Sequence, residues 1–146
     1  MAEVTTSVQI VLSQHCNGDP ARRLFGGQLM AWIDVIGAVA ARRYTHTAVT
    51  TVCVDNLNFL RPAHLNDIIV QEAKVTWTGN TSLEVRVDSF VEKKEERELI
   101  NRAYVVFVAI GDDERPVRIP EYMPETPEEE EEYSAAVERK IIRMQR

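Results

Sequence analysis

A nearly continuous run of apolar residues, from Phe25 to His46, constrains the fold of this chain more than any other stretch. Gly26 and Gly27 open the run, and the apolar residues that follow would occupy almost every face of about four turns of helix. A helix that is apolar on all sides is a buried one. The run therefore predicts a long central helix around which the rest of the chain packs.

One carboxylate, Asp34, interrupts this helix near its middle. Burying an unpaired charge costs several kcal/mol, so Asp34 must be paired, hydrogen-bonded or protonated. A purely structural aspartate would cap a neighbouring strand or pair with an arginine, whereas a functional one would take part in catalysis. The residues alone leave both interpretations open.

The charges and cysteines limit the partners and the compartment. The net charge is −6, and eight acidic residues against four basic ones follow from Glu121 onward, so the body is close to neutral. A near-neutral body argues against nucleic-acid binding. Cys16 and Cys53 have no metal-binding spacing and indicate reduced thiols in a cytoplasmic protein. The apolar run is too short, and too interrupted by Asp34, to span a membrane.

Five stretches rich in β-branched residues predict strands, at residues 3–13, 48–60, 68–78, 82–92 and 99–110. The fourth alternates apolar and charged residues from Leu83 to Asp88, which predicts one face toward the core and one toward solvent. Four consecutive strands at hairpin spacing form an antiparallel sheet, and one long helix is available to cover it. We therefore predict an α+β domain, with an antiparallel sheet wrapped round one long central helix.

The C-terminal segment carries its own helix signals. Thr126, Pro127 and Glu129 have the spacing of an N-cap, a first-turn proline and the glutamate of a capping box. Acidic residues fill the first turns and basic residues the last, which complements the helix dipole. We expect a domain of residues 1–122, followed by a charged helical tail of residues 123–146 that is solvated and takes no part in catalysis.

An ordered set of short motifs extends over roughly residues 8–125. Its members are Leu24-Phe25-Gly26-Gly27, Trp32-Ile33-Asp34, Val49-Thr50-Thr51-Val52, Asp55, Asn58-Phe59, Arg61-Pro62, Asn66-Asp67, Gly79-Asn80-Thr81-Ser82 and Phe107-Val108-Ala109. At these spacings the set resembles the hotdog-fold acyl-CoA thioesterases, and more closely their cytosolic acyl-CoA hydrolase branch.

The resemblance implies a hotdog fold and hydrolysis of acyl-CoA to a free acid and CoA. It also implies a homo-oligomer, in which two subunits pair their sheets edge to edge and often assemble further as a trimer of dimers. The active sites would lie between subunits, with the catalytic acid at Asp34. We expect no cofactor and no metal, because CoA enters as part of the substrate.

Helix-terminus chemistry suggests how the reaction would proceed. Free N–H groups and partial positive charge gather at a helix N-terminus, and Gly26 would let a substrate carbonyl approach the backbone closely. We expect the Gly27 N–H to polarise the thioester carbonyl, and Asp34, seven residues on, to act as general base or, less favoured, as nucleophile. Further candidates for substrate contacts, with the resemblance as the guide, are Thr51 across a dimer, Thr81 and Ser82 for pantetheine or phosphate, and Arg22, Arg23 and Arg61 for the CoA phosphates.

Three positions depart from the family pattern. Asp19 stands where the family usually has an asparagine that helps to position the thioester or the water, and an ionised aspartate cannot donate to a carbonyl. Asp19 would therefore be protonated, or Asn17 would replace it, or the activity would differ. Arg22 and Asn66 stand where the family has glycines, and asparagine tolerates the positive φ of such a turn.

Two rival functions follow from the same residues. Hotdog dehydratases and hydratases generally use a histidine near the start of the helix, and no histidine lies between Leu24 and Tyr44. A non-catalytic acyl-CoA-binding or regulatory module is the stronger rival, because Asp19 and Arg22 depart from the catalytic pattern.

Overall fold

A computed structural model describes residues 3–55 and 57–145 of the chain. Within these residues the elements are, in order, β1 (Thr5–Ile10), a short 3-10 turn (Ser13–His15), α1 (Gly26–Thr45), β2 (Ala48–Asp55), β3 (Ile68–Thr78), β4 (Ser82–Glu92), β5 (Arg97–Ile110) and α2 (Pro127–Met144). Asn56, inside the second predicted strand, lies outside the described residues.

The strands form one antiparallel sheet in the order β1-β3-β4-β5-β2, which curls round α1. The predicted antiparallel sheet around one long helix is confirmed. The core lies between the two, where the α1 residues Leu29 and Ile33 are buried against the inner face of the sheet. Gly37 lets α1 approach the sheet closely, because a Cβ atom there would lie 3.2 Å from the Phe107 ring.

Two strands have the predicted bounds, and three differ. The predicted bounds of β3 and β4 are confirmed, while β5 begins two residues earlier, at Arg97. The first strand is shorter than predicted, because beyond Ile10 the chain turns into the 3-10 segment. The second ends at Asp55 rather than at residue 60, because the following segment returns to the start of α1, where the Ala63 carbonyl accepts from the Leu24 N–H at 2.8 Å.

The burial predicted for α1 is only partly observed. A stripe along the helix that includes Gly27, Met30 and Val35 is exposed, and Val35 is 62% exposed. Asp34 lies along this stripe and is half-buried. The prediction of burial on every side is therefore wrong for a single chain, because a five-stranded sheet covers only one side of the helix.

The polar face of β4 was predicted to be solvated, and this prediction is wrong. Glu84 is 0% exposed, because α2 lies across the outer face of the sheet. Arg139 of α2 binds the Glu84 carboxylate through two hydrogen bonds of 2.9 and 2.8 Å. The Thr76 hydroxyl donates to the same carboxylate at 2.6 Å.

The C-terminal helix begins as predicted but is not a free, solvated tail. Thr126 and Glu129 form the capping box that the sequence indicates. Ala136 of α2 is fully buried. Tyr122 and Tyr133, on either side of the predicted boundary at residue 122, stack with ring centroids 6.4 Å apart.

The interface under α2 is a network of charged groups. Arg86 of β4 donates to Glu132 at 2.9 Å, and the Arg139 guanidinium lies 3.6 Å from the centroid of the Tyr104 ring. Burial and a hydrogen bond with Glu132 raise the pKa of Tyr104 to about 12, so the phenol stays neutral at physiological pH. The charged side chains of β4 are thus paired with oppositely charged side chains of α2.

Replacing Arg139 with methionine should destabilise the chain by about 3 to 5 kcal/mol, because the fully buried Glu84 would lose both hydrogen bonds from Arg139 and keep only the Arg143 guanidinium, 4.0 Å away. Urea unfolding measures this change as a lower transition midpoint. Arg115→Met, which removes an exposed ion pair with Asp113, is the control and should change stability by less than about 1 kcal/mol. Equal effects of the two substitutions would contradict the structural importance of the buried pair.

Candidate active site

The N-terminus of α1 presents two backbone donors. Phe25, the N-cap, makes no side-chain capping hydrogen bond, and its own N–H donates to the His15 carbonyl at 2.8 Å. Neither the Gly26 nor the Gly27 N–H has an acceptor within residues 3–55 and 57–145. Both groups are therefore available to an electron-rich atom of a ligand.

Because Gly27 has no Cβ atom, the Phe25 ring can lie close to its backbone. A Cβ atom on Gly27 would lie 2.5 Å from a carbon of the Phe25 ring, which itself is exposed. At Gly26 the nearest atom to such a Cβ would belong to the Phe59 ring, at 3.3 Å. The two backbone donors thus lie between two phenylalanine rings, in a setting suited to an apolar group next to a polarised carbonyl.

Asp34 is held by a short hydrogen bond from the next element. The Thr51 hydroxyl on β2 donates to Asp34 Oδ1 at 2.6 Å. The second oxygen, Oδ2, has no donor in the part of the chain that the structure describes. Within one chain Thr51 therefore orients the aspartate, and its expected contact with the substrate or the water across a dimer stays a prediction.

This pairing follows from the lengths of the two elements. His46, with φ of 58°, caps α1, and β2 then runs back along the helix. Asp34 lies twelve residues before this cap, about 18 Å at the rise of an α-helix. Five residues of strand span about 17 Å, which brings position 51 level with Asp34. The sequence therefore carried this signal, although our sequence interpretation did not use it.

The Gly27 N–H and the Asp34 carboxylate cannot act on one thioester within one chain. Seven residues of helix separate them, about 10 Å along the axis. A reacting atom would have to lie about 3 Å from both groups. Within one chain, the axial separation of the two groups is therefore larger than a single reacting carbonyl spans.

Asp19 lies in the loop before α1 and is bound to Arg23. The Arg23 backbone N–H and guanidinium donate to its two oxygens at 3.2 and 2.7 Å. Desolvation acts to raise the pKa of the Asp19 carboxyl, but the hydrogen bonds and charge of Arg23 outweigh it and lower the pKa below its usual value. This direction argues against a protonated Asp19. Asn17 is close by, and its side-chain oxygen accepts from the Asp19 N–H at 3.1 Å.

A cleft of about 360 Å³ adjoins the start of α1 and is lined by three of the predicted substrate-binding residues, Arg23, Gly26 and Arg61, together with Asn17. Arg61 pairs with Glu98 at 3.2 Å and remains mostly exposed. Arg22, at a family glycine position, adopts φ of 52°, and Asn66 adopts φ of 71°. Both turns thus keep the left-handed backbone that glycine favours, and the expectation for Asn66 is confirmed.

Thr81 and Ser82 are not brought to Asp34 within one chain. They lie at the turn between β3 and β4, where the Thr81 carbonyl accepts from the Ala109 N–H. Ser82 lines a cleft on the outer face of the sheet, while Asp34 lies on the side of α1. Their predicted role in binding pantetheine or phosphate stays a prediction.

The described residues contain neither a membrane-spanning helix nor a cluster of metal-binding side chains. None of the helices there is long and apolar enough to cross a bilayer. No group of three or more histidine, cysteine, aspartate or glutamate side chains is placed there to bind a metal ion.

Comparison with known proteins places these features in a family. Residues 22–98 match the model of the thioesterase superfamily. An uncharacterised acyl-CoA thioester hydrolase of Bacillus subtilis is 38% identical over 80% of this chain and 69% of its own length. Acyl-coenzyme A thioesterase 11 of Mus musculus is 34% identical over 96% of this chain. The match covers only 24% of the length of that larger protein.

A solved structure gives the same result. An acyl-CoA hydrolase from Staphylococcus aureus, determined with butyryl-CoA, CoA and CoA disulfide, superposes with a TM-score of 0.85 at 32% identity. The match covers 97% of this chain and 88% of that one. With its curled antiparallel sheet, its central helix and these matches, the chain belongs to the hotdog-fold acyl-CoA thioester hydrolases of the thioesterase superfamily.

Proposed function

We propose that this chain hydrolyses acyl-CoA thioesters to a free acid and CoA, with Asp34 activating the attacking water. The observation that carries the proposal is the Thr51–Asp34 hydrogen bond of 2.6 Å. It fixes one carboxylate oxygen and leaves Oδ2 open toward the exposed side of α1. An oriented carboxylate with one free oxygen is suited to take a proton from water.

The proposed reaction requires only groups of the chain, one water molecule and the acyl-CoA. Asp34 removes a proton from water as the oxygen attacks the thioester carbon, and a Gly27 N–H from a second copy stabilises the oxyanion. When the intermediate collapses, the carbon–sulfur bond breaks and Asp34 returns the proton to the CoA sulfur. The proposed reaction uses no cofactor and no metal ion.

Variants of the Staphylococcus aureus enzyme support these roles. Structures of that enzyme have been solved with an asparagine, an aspartate or a threonine replaced by alanine. The three positions follow each other there at intervals of 15 and 17 residues. Asp19, Asp34 and Thr51 follow each other at the same intervals here. The spacing supports Asp34 and Thr51 as site residues and marks Asp19 as the substituted position.

We propose that Asn17 and Asp19 divide the work of the family asparagine. The ionised Asp19 carboxylate accepts from Arg23, while the Asp19 backbone N–H donates to the Asn17 side-chain oxygen and orients that amide. The Asn17 amide nitrogen has no acceptor within the described ranges, and Asn17 lines the same cleft as Gly26. Its amide can therefore donate to the thioester or to the water. Arg22, Arg23 and Arg61, near this cleft, are proposed to bind the CoA phosphates.

We propose that two copies pair through the outer edge of β2. This edge of the sheet carries no neighbouring strand in the described part of one chain, and Val52 there is 60% exposed. Pairing would continue the sheet, cover the exposed stripe of α1, and bring one copy's Gly27 toward the other's Asp34. Related acyl-CoA thioesterases are described as hexameric, which supports a trimer of such dimers.

The location proposed for the protein is the cytoplasm, with a role in lipid metabolism. Cys16 and Cys53 form no disulfide within the described residues, which suits a reducing compartment. An acyl-CoA substrate is consistent with this location. The acid released would be a fatty acid when the acyl group is a fatty acyl chain.

Replacing Asp34 with asparagine should lower kcat by a factor on the order of 10² to 10⁴, because the amide cannot accept a proton from water. Release of free CoA thiol from several acyl-CoAs measures the rate. Asp112→Asn, at an exposed turn, is the control and should retain wild-type activity. Full activity in Asp34→Asn would refute the proposed role.

The same assay separates hydrolysis from simple binding. A non-catalytic module would bind acyl-CoA in calorimetry without releasing thiol, in the wild type as in the variant. That result would replace the proposed function with the binding function.

Removing the Gly27 N–H should lower kcat by a factor on the order of 10² to 10³. Gly27→Pro removes it within the first turn, where proline is compatible with a helix. Gly27→Ala keeps the N–H while adding the carbon that meets the exposed Phe25 ring, so it is the matched control. Steady-state kinetics should show a much smaller loss for alanine. Equal losses would indicate that space, rather than the donor, matters at this position.

Placing a lysine at Val52 should prevent pairing of β2 edges, because a charge on an edge strand opposes strand addition. Light scattering should then show monomers, and activity should be lost with them, since each site needs two copies. Val8→Lys, on the opposite edge strand β1, places the same charge at a similarly exposed position and should leave active dimers. Active Val52→Lys monomers would contradict a shared site.

A further inference from the structure

The C-terminal helix reaches the strand that carries Thr51. Arg143, in the last turn of α2, donates to Asp55 Oδ2 at 3.1 Å. The two side chains are only 14% and 19% exposed. Asp55 is the last residue of β2, so this ion pair attaches the end of the strand to the helix.

The attached end of β2 is short and adjoins an irregularity. The pairing of β2 with β5 shifts between Thr51 and Cys53, where the strand is bulged. After the shift the described part of the ladder continues with Cys53, Val54 and Asp55, opposite Val106, Val105 and Tyr104. The other edge of β2 has no strand neighbour in the described chain. The chain is bonded to β5 again at Asn58 and Leu60, so Arg143 adds its contact to a stretch in which the bulge disrupts the ladder locally.

The helix that holds Asp55 is itself firmly placed. Arg139 lies one turn before Arg143, on the same face of α2, and binds the fully buried Glu84 of β4. Its guanidinium also stacks on Tyr104, the residue that pairs with Asp55 across the ladder. Arg143 therefore attaches Asp55, at the end of β2, to a helix that Arg139 holds against β4.

We propose that Arg143 is a positioning residue for the thioesterase reaction. By holding Asp55 it fixes the bulged segment of β2 and so keeps the Thr51 hydroxyl in place against Asp34. The proposal rests on the proposed function, because it requires Asp34 to act with Thr51. It gives the C-terminal helix a part in catalysis, through a contact on the opposite side of the sheet from the substrate.

Arg143→Met tests the proposal in the full-length chain. We expect kcat to fall by a factor on the order of ten, since a small displacement of a catalytic group is costly, while KM stays within about twofold. Arg143→Lys keeps a positive charge near Asp55 and should recover most of the rate. Arg102→Met is the control, because it removes a partly buried ion pair with Asp88 on the same sheet face, between β5 and β4 rather than at β2. It should lower the Tm without lowering kcat.

A double variant separates positioning from general destabilisation. In a Thr51→Val background the hydroxyl is already absent, so adding Arg143→Met should not reduce kcat further. Additive losses, or a kcat loss in Arg102→Met equal to that in Arg143→Met, would overturn the proposal. An unchanged kcat in Arg143→Met, with Asp34→Asn inactive, would overturn it while leaving the proposed function intact. An active Asp34→Asn would instead refute the proposed function itself.

Discussion

A single curled sheet can cover only one side of a long helix, and the rest of this structure depends on that constraint. The inner face of the sheet buries Leu29 and Ile33, yet Met30 and Val35 remain exposed, at 43% and 62%. Exposed apolar residues on a core helix indicate a surface that another molecule covers. Asp34, the proposed general base, lies along this surface, which the proposed dimer would cover.

The outer face of the same sheet is stabilised in a different way. There α2 covers charged rather than apolar positions, and Glu84 and Arg139 form its buried centre. A buried ion pair contributes little net stability compared with apolar packing, but it strongly disfavours alternative placements of the helix. Charge pairing of this kind fixes the register of α2, and through Arg143 it fixes the end of β2 as well. Strand β2 thus contacts α2 through Asp55 and α1 through Thr51.

Hydrophobic pattern and turn chemistry predicted most elements, because both act over short stretches of sequence. The bounds of β3 and β4, the capping box at Thr126 and the left-handed turn at Asn66 follow from adjacent residues alone. Alternation in β4 also predicted correctly which side chains face the core. It was wrong about solvent on the other face, since the cover over Glu84 comes from a helix more than forty residues later in the chain.

By itself, the sequence determined the central helix, the antiparallel sheet, the family and the candidate aspartate, since these depend on local periodicity and on motifs read in order. Only the tertiary structure decided that Arg23 binds Asp19, that α2 covers Glu84 and that Arg143 binds Asp55. These facts depend on distances between elements. A residue pattern restrains such distances weakly, because hydrogen bonds and ion pairs form only when packing brings their atoms within about 3 Å.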